Sequence, residues 1–301
     1  MRRTSSPPTS RPTITRASSA TKTTTTHAKT ASATTTTAAA PRSTRHPISL
    51  AKSLYLEDFS LRSLDSLRVT SDRYGASNRA FVSDPINRAR TVLQVSYPAG
   101  SFSPSGPIVG GTGFYASPID LTTANSVTFS YDVYFMPDFD FVLGGKLPGM
   151  YGGHESCSGG RDSSTCFSSR FMFRTNGAGE LYVYLDFSAQ VAGFCKVPPK
   201  TICNPSYGTS MGRGAWMFPT GRWITVSQTV TLNTLGKRDG SVLVTVDGVQ
   251  KIFFDQIAWR TTNIGFIGID FETFFGGSNS DWATPVDQYT LYKGIALTIE
   301  Q

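Results

Sequence analysis

Arg170, Arg174, Tyr182 and Tyr184 fall within one short stretch, CFSSRFMFRTNGAGELYVYLDF, Cys166 to Phe187. Strand alternation puts Ser168, Arg170, Met172 and Arg174 on one face, with Ser169, Phe171 and Phe173 on the other. On the return, Tyr182, Tyr184 and Asp186 share a face, while Leu181, Val183, Leu185 and Phe187 take the opposite one. Directly opposed residues of an antiparallel pair point to the same side, so keeping the polar sets together requires an odd-length loop. A three-residue Asn176-Gly177-Ala178 loop with Gly179 at a bulge meets that need. It sets Arg170 opposite Tyr184 and Met172 opposite Tyr182. The expected result is a polar face of two arginines and two tyrosines over an apolar underside. The plainer alternative is a solvated outer face with no further role.

Local charge favours the functional reading. Residues 141–222 hold eight Lys/Arg against four acids, and among the eight is Lys146, within the glycine-rich run GGKLPGMYGG. A basic, aromatic-bearing face suits a long polyanion, and tyrosines stack on sugar rings. β-Elimination on a uronic-acid polymer fits such a set without a metal or cofactor. Removing the proton next to a carboxylate adds charge to an anion, so cations at that carboxylate stabilise the transition state. A base takes the proton and an acid protonates the leaving glycosidic oxygen; tyrosine can do either. A nearby Lys or Arg is expected to lower the tyrosine pKa. Which of Tyr182 and Tyr184 is base and which acid stays open.

Glycoside hydrolysis would need two carboxyl groups. Glu180 with Asp186, or Asp270 with Glu272, are candidates, but neither pair is tied to the basic cluster in sequence. No P-loop occurs. His154 follows the glycine run, and its position makes it a binding candidate. Arg174 is added from its face, and Arg213, in SMGRGAW, as a contact to a neighbouring uronate or as a loop arginine capping carbonyls. Phe274, Phe275 and Trp282 are expected in core or loop packing rather than as sugar platforms.

These side chains need rigid supports, and the strand signal is strong. VTFSYDVYF alternates Val127, Phe129, Tyr131, Val133 and Phe135 with Thr128, Ser130, Asp132 and Tyr134. WITVSQTVTL and SVLVTVDGVQKIFF repeat the pattern, the latter around an Asp247-Gly248 turn, and YTLYKGIALTIE adds another candidate. SLYLEDFSLRSLDSLRV is expected to give a helical turn or two. Short strands with Gly/Pro turns over residues 51–301 predict one all-β domain, a two-sheet sandwich or jelly roll. GGKLPGMYGG reads as a loop beside it.

Residues 1–50 are a different material: Ser, Thr, Pro and Ala with eight Lys/Arg and no acid. Such a tail cannot bury enough apolar surface to order itself, and its composition suits an O-glycosylated stalk or an unmodified leader. The formal charge of the whole chain is +7, so about −1 is left for the rest. The basic pI is a property of the tail and no argument for nucleic-acid binding. No apolar run is long enough to span a membrane.

Cys157, Cys166, Cys195 and Cys203 form no C-x-x-C pair, and only three histidines accompany them, which argues against a zinc site. Of three possible pairings, the sequence-local one (Cys157–Cys166 and Cys195–Cys203) closes two short loops; four free thiols are the alternative. Disulfides imply an oxidising compartment and a secreted protein, although no apolar segment follows the opening MRR. An Arg/Ser/Thr-rich leader without acids also suits mitochondrial transit.

FVLGGKLPGMYGGHESCSGGR, CFSSRFMFRTNGAGELYVYL, YGTSMGRGAW and TFFGGSNSDWATPVDQ together resemble polysaccharide lyase family 14, which includes alginate and glucuronan lyases. VLQVSYPAGSFSPSG and GGTGFYASP match its style as well. The resemblance covers roughly residues 50–301. It implies a jelly roll with a sugar-binding cleft on a concave sheet. It also implies an active-site lysine at Lys146, a serine and arginine at Ser168 and Arg170, and paired tyrosines at Tyr182 and Tyr184. The expectation is a monomeric lyase acting on an acidic polysaccharide, with glucuronan first and alginate second. A carbohydrate-binding jelly roll without turnover is the first rival and a glycoside hydrolase the second.

Overall fold

Sixteen strands account for about half of the computed structural model, which describes residues 52–158, 163–204 and 206–300. The tail of residues 1–50 lies outside the described residues, as do Arg161 and Asp162. In chain order the strands are β1 (Ser53–Leu56), β2 (Val69–Tyr74), β3 (Arg79–Ser83), β4 (Thr91–Tyr97), β5 (Thr112–Ala116), β6 (Ser126–Phe135), β7 (Gly144–Gly152) and β8 (Phe167–Arg174). They continue with β9 (Ala178–Tyr184), β10 (Ile202–Asn204), β11 (Gly208–Met217), β12 (Trp223–Thr231), β13 (Gly240–Val246), β14 (Val249–Ile257), β15 (Phe266–Phe275) and β16 (Gln288–Ile299).

They form two antiparallel sheets. One runs β14-β13-β12-β6-β16-β4-β3, with β1 also pairing with β16. The other runs β10-β11-β9-β8-β7-β15-β5-β2. Chain neighbours often lie apart in the sheets: β6 sits between β12 and β16, and β15 between β7 and β5. This two-layer arrangement is the expected jelly roll. The SLYLEDFSLRSLDSLRV segment supplies β1 and one 3-10 turn, Asp65–Leu67.

Alternation places the core. Val127, Phe129, Tyr131, Val133 and Phe135 of β6 are all fully buried between the sheets. Phe171 and Phe173 of β8, with Leu181 and Val183 of β9, meet them from the other layer. The Asp247-Gly248 turn forms as expected, both residues having positive φ (48° and 76°) between paired Val246 and Val249.

GGKLPGMYGG is not a loop. Gly144–Gly152 is β7, buried throughout and held between β8 and β15. The register with β8 jumps between Lys146 and Gly149, a bulge that contains Pro148. A bulge is where a sheet tolerates a residue without an N–H. Tyr131 of the opposite sheet donates its hydroxyl to the Pro148 carbonyl at 3.1 Å, so the bulge is satisfied from beneath. Gly149 is required by close approach: a Cβ there would stand 1.9 Å from the Ser169 carbonyl oxygen.

Candidate active site

A cleft of about 780 Å³ opens on the outer face of the β10-to-β2 sheet. Five cationic side chains, Arg73, Lys146, Arg170, Arg174 and Arg213, line it against two carboxylates, Asp270 and Glu272. Tyr182 and Tyr184 line it as well. Six different strands deliver these groups, which is why the set is scattered along the chain.

The β8–β9 pairing differs from the expected register by two residues. Ser168 faces Tyr184, Arg170 faces Tyr182 and Met172 faces Glu180. The parity is as expected, so the polar face stays intact. The turn is centred on Asn176, where Asn176 and Gly177 both take positive φ (61° and 80°) and Ala178 already belongs to β9. Two consecutive left-handed residues close the turn earlier than a loop ending at Ala178 would. Asp186 does not share the tyrosine face. It lies past β9 and caps a 3-10 turn by accepting from the Ser188 N–H at 3.0 Å.

At the centre, the Lys146 Nζ stands 3.9 Å from the Tyr182 ring centre and 5.9 Å from that of Tyr184. The two rings meet edge to face at 5.3 Å. The Lys146 ammonium donates to the Met172 thioether at 3.1 Å, a weak acceptor. Burying an ammonium costs several kcal/mol, and cation–π contact returns about 2 kcal/mol. Burial therefore wins, with Arg170 and Arg174 adding repulsion, and the Lys146 pKa falls well below its ordinary value. Tyr182 moves against the sequence expectation. Burial, with Tyr184 and Glu180, raises its pKa; Arg174 and Arg170 pull the other way and are outweighed.

Gly208 of β11 leaves room for both rings, since a Cβ would lie 2.9 Å from Tyr184 and 3.0 Å from Tyr182. Its φ of 130° also excludes most side chains.

Two carboxylate nests flank the centre, joining to the cations acids that nothing in the sequence tied to them. Glu180, with no exposed surface, accepts from Arg174 Nε at 2.9 Å and Nη2 at 2.6 Å, from Arg213 Nε at 2.8 Å and from Ser210 Oγ at 2.6 Å. On the other side, Arg170 is 1% exposed. Its Nη1 bonds Glu272, and its Nε lies 3.4 Å from Asp270. Burial opposes the guanidinium charge, but Asp270 and Glu272 outweigh it and hold Arg170 firmly charged. Burial lifts Asp270 to about 7, with Arg170 opposing and Glu272 reinforcing the rise.

Other candidates lie elsewhere. Ser168 is fully buried and does not line the cleft; its hydroxyl donates to the Cys157 carbonyl at 2.8 Å. It fastens the wall behind Tyr184. That wall is stapled by the Cys157–Cys166 disulfide, and Cys195–Cys203 closes the second loop, the sequence-local pairing. His154 is exposed, bonded to the Glu155 carbonyl and Thr165, and outside the cleft lining. Arg213 is no carbonyl-capping loop residue: it sits in β11 between Gly212 and Gly214, both with positive φ, where the register with β9 breaks. Phe275 is core, but Phe274 and Trp282 line the cleft, and Arg174 packs over Trp282 at 5.9 Å. Tyr74 and Arg73 of β2 and Tyr115 of β5 are lining residues that sequence reasoning missed. Nothing local marks them; they reach the cleft only because β2 and β5 join β15.

A jelly roll with a basic, tyrosine-floored cleft across one sheet belongs to the class of proteins that handle acidic polysaccharides. The family model described as Polysaccharide lyase 14 matches residues 85–295. The crystal structure of the marine PL-14 alginate lyase from Aplysia kurodai is 33% identical, with a TM-score of 0.72 covering 82% of this chain and 98% of that one. The alginate lyase vAL-1 from Chlorella virus is 24% identical, with a TM-score of 0.67 over 79% of this chain and 98% of that one. The endo-β-1,4-glucuronan lyase from the fungus Trichoderma reesei shares the fold at 9% identity, with a TM-score of 0.53 over 82% and 95%. No curated protein sequence matches significantly. The chain belongs to polysaccharide lyase family 14 and is a polysaccharide lyase.

Proposed function

We propose that the protein cleaves a uronic-acid polymer by β-elimination, with Lys146 as proton acceptor and the Tyr182/Tyr184 pair as proton donor. The observation that carries this reading is the buried Lys146 amine 3.9 Å from the Tyr182 ring in a cleft with a cationic excess. A lysine whose charge is disfavoured by burial gives up its proton more readily than an ordinary lysine, and the amine so formed can take the C5 proton. Tyr182, whose ionisation burial opposes, keeps its proton for the leaving glycosidic oxygen. Arg174 and Arg213 are charged and partly exposed, so they can meet substrate carboxylates. Charge opposite the developing enolate lowers the barrier. This division of labour replaces the tyrosine base of the sequence expectation.

Alginate is placed ahead of glucuronan, reversing the sequence order. The support is the 33% identity to an alginate lyase against 9% to a glucuronan lyase. We read the protein as extracellular, since two disulfides suit an oxidising compartment, and as a monomer. The test is incubation with alginate, glucuronan and other uronans while following ultraviolet absorbance of the new conjugated double bond. Binding without absorbance would make the protein a carbohydrate-binding module. New reducing ends without absorbance would make it a hydrolase.

A further inference from the structure

Among the described residues, three buried polar atoms of the cleft lining have no hydrogen-bond partner. The Tyr74 hydroxyl and Asp270 Oδ1 are both buried and make no hydrogen bond, although both residues line the cavity. A buried polar atom left unpaired costs about 1–3 kcal/mol. Two of them around one cation, Arg170, whose Nε is also unpaired, are an arrangement that a ligand would complete.

The trio of Arg170, Asp270 and Glu272 raises a charge problem. With both carboxyls ionised it carries a net negative charge at the floor of a cleft that must admit a polyanion. A single proton on Asp270 removes that charge and turns Oδ1 into a donor. The surroundings favour it: burial first, then Glu272, outweigh Arg170, Arg73 and Lys146 and bring Asp270 to about 7. The other titratable groups facing it are Tyr115 of β5, Tyr151 of β7 and Tyr74 of β2, each with a pKa pushed up chiefly by burial. All three are therefore neutral donors rather than anions.

The ring of Tyr74 reaches this place by crossing Gly113 of β5, where a Cβ would stand 2.2 Å from it. It rests edge-on against Phe274 at 6.4 Å.

We propose that protonated Asp270 and the Tyr74 hydroxyl are a pair of neutral donors that receive a uronate carboxylate beside Arg170, so that substrate binding draws a proton into the cleft. The proposal rests on the lyase reading and deepens it by assigning a carboxylate-binding position. Asp270 and Tyr74 are substrate-binding residues here and take no part in proton transfer to or from carbon.

The test is calorimetric titration of an unsaturated uronate disaccharide, an elimination product, in two buffers of different ionisation enthalpy. At about pH 8, above the Asp270 titration, the wild type should take up about one proton more than Asp270→Asn, which keeps a donor but cannot titrate. Equal uptake in the two proteins overturns the proposal, as does uptake that survives in Asp270→Asn and vanishes in Lys146→Ala. Tyr74→Phe gives a second reading that does not depend on how well Asp270→Asn folds. Removing the unpaired hydroxyl should leave the melting temperature unchanged or higher while weakening disaccharide binding about tenfold. Unchanged affinity overturns the proposal. A wild type that forms no double bond on any uronan sinks the lyase reading instead; one that forms it but shows no difference in uptake sinks only the donor pair.

Discussion

The Lys146 ammonium stands 3.9 Å from the centre of the Tyr182 ring, at 7% exposure, with a thioether as its hydrogen-bond acceptor. A cation so placed is held by a ring face and opposed by burial. The competition sets its protonation, and with it the pH behaviour of the site.

Activity should rise with pH through a titration well below the ordinary lysine value, because the amine form is the one that accepts a proton. The same group makes stability rise over that window. The unfolded lysine binds its proton up to about pH 10.4, whereas the folded one releases it earlier, so raising the pH favours the folded state. Lys146→Met should remove both the activity and this slope in stability. A pH–rate profile of kcat alongside denaturant unfolding at several pH values checks it; full activity in the variant would exclude Lys146 as the base.

Tyr182→Phe and Tyr184→Phe each keep the ring and remove the hydroxyl. The residue that protonates the leaving oxygen should lose about 10²–10⁴-fold in kcat, the range for general acid catalysis. The other should lose much less. Initial rates of double-bond formation distinguish them, and two variants with wild-type rates would dismiss the tyrosine donor.

Glu180→Gln should destabilise the protein by about 3–5 kcal/mol, because it leaves Arg174 and Arg213 facing a buried group without its compensating charge. Urea unfolding measures this. A loss under about 1 kcal/mol would mean that the arginines find water instead.

Gly149→Ala should break the β7–β8 pairing at the bulge, since the added methyl would meet the Ser169 carbonyl and the Arg170 Cα at 1.9 and 2.6 Å. Overpacking of this kind costs about 1–3 kcal/mol and occasionally more. Lys146 moves with the strand, so activity should fall further than stability alone requires. Thermal melting with activity assayed well below the transition separates the two effects.

Asp270 adds a second pH signature, of opposite sign to that of Lys146. Its folded pKa, about 7, is above the ordinary aspartate value of about 3.9. The stability it contributes is complete at low pH and is lost as pH rises between those two values. Asp270→Asn should flatten that decline, which melting temperatures measured across the acid range would show.

The alternating runs of β6 and β8 were legible because period-two burial is written in residue type, and Phe129 and Phe171 mark the core face without help from distant chain. The arginine–tyrosine face of β8 and β9 was legible for the same reason, down to the parity of its turn. Its exact register was not, because that depended on where Asn176 and Gly177 chose left-handed backbone. GGKLPGMYGG looked like a loop because glycine and proline are poor strand formers on average; packing against Ser169 and Phe173 made the same glycines necessary within a sheet. The sequence by itself determined an all-β chain and the cations and phenols of β7, β8 and β9, and it offered the local disulfide pairing as one of several. Only the tertiary structure decided which carboxylates join them. Glu180 of β9 meets Arg174 and Arg213 on the two strands beside it, and Arg170 of β8 reaches past β7 to Asp270 and Glu272 of β15, so the burial that shifts Lys146 and Asp270 exists only once these strands lie side by side. Charge is written in the chain, but desolvation is a property of what surrounds it.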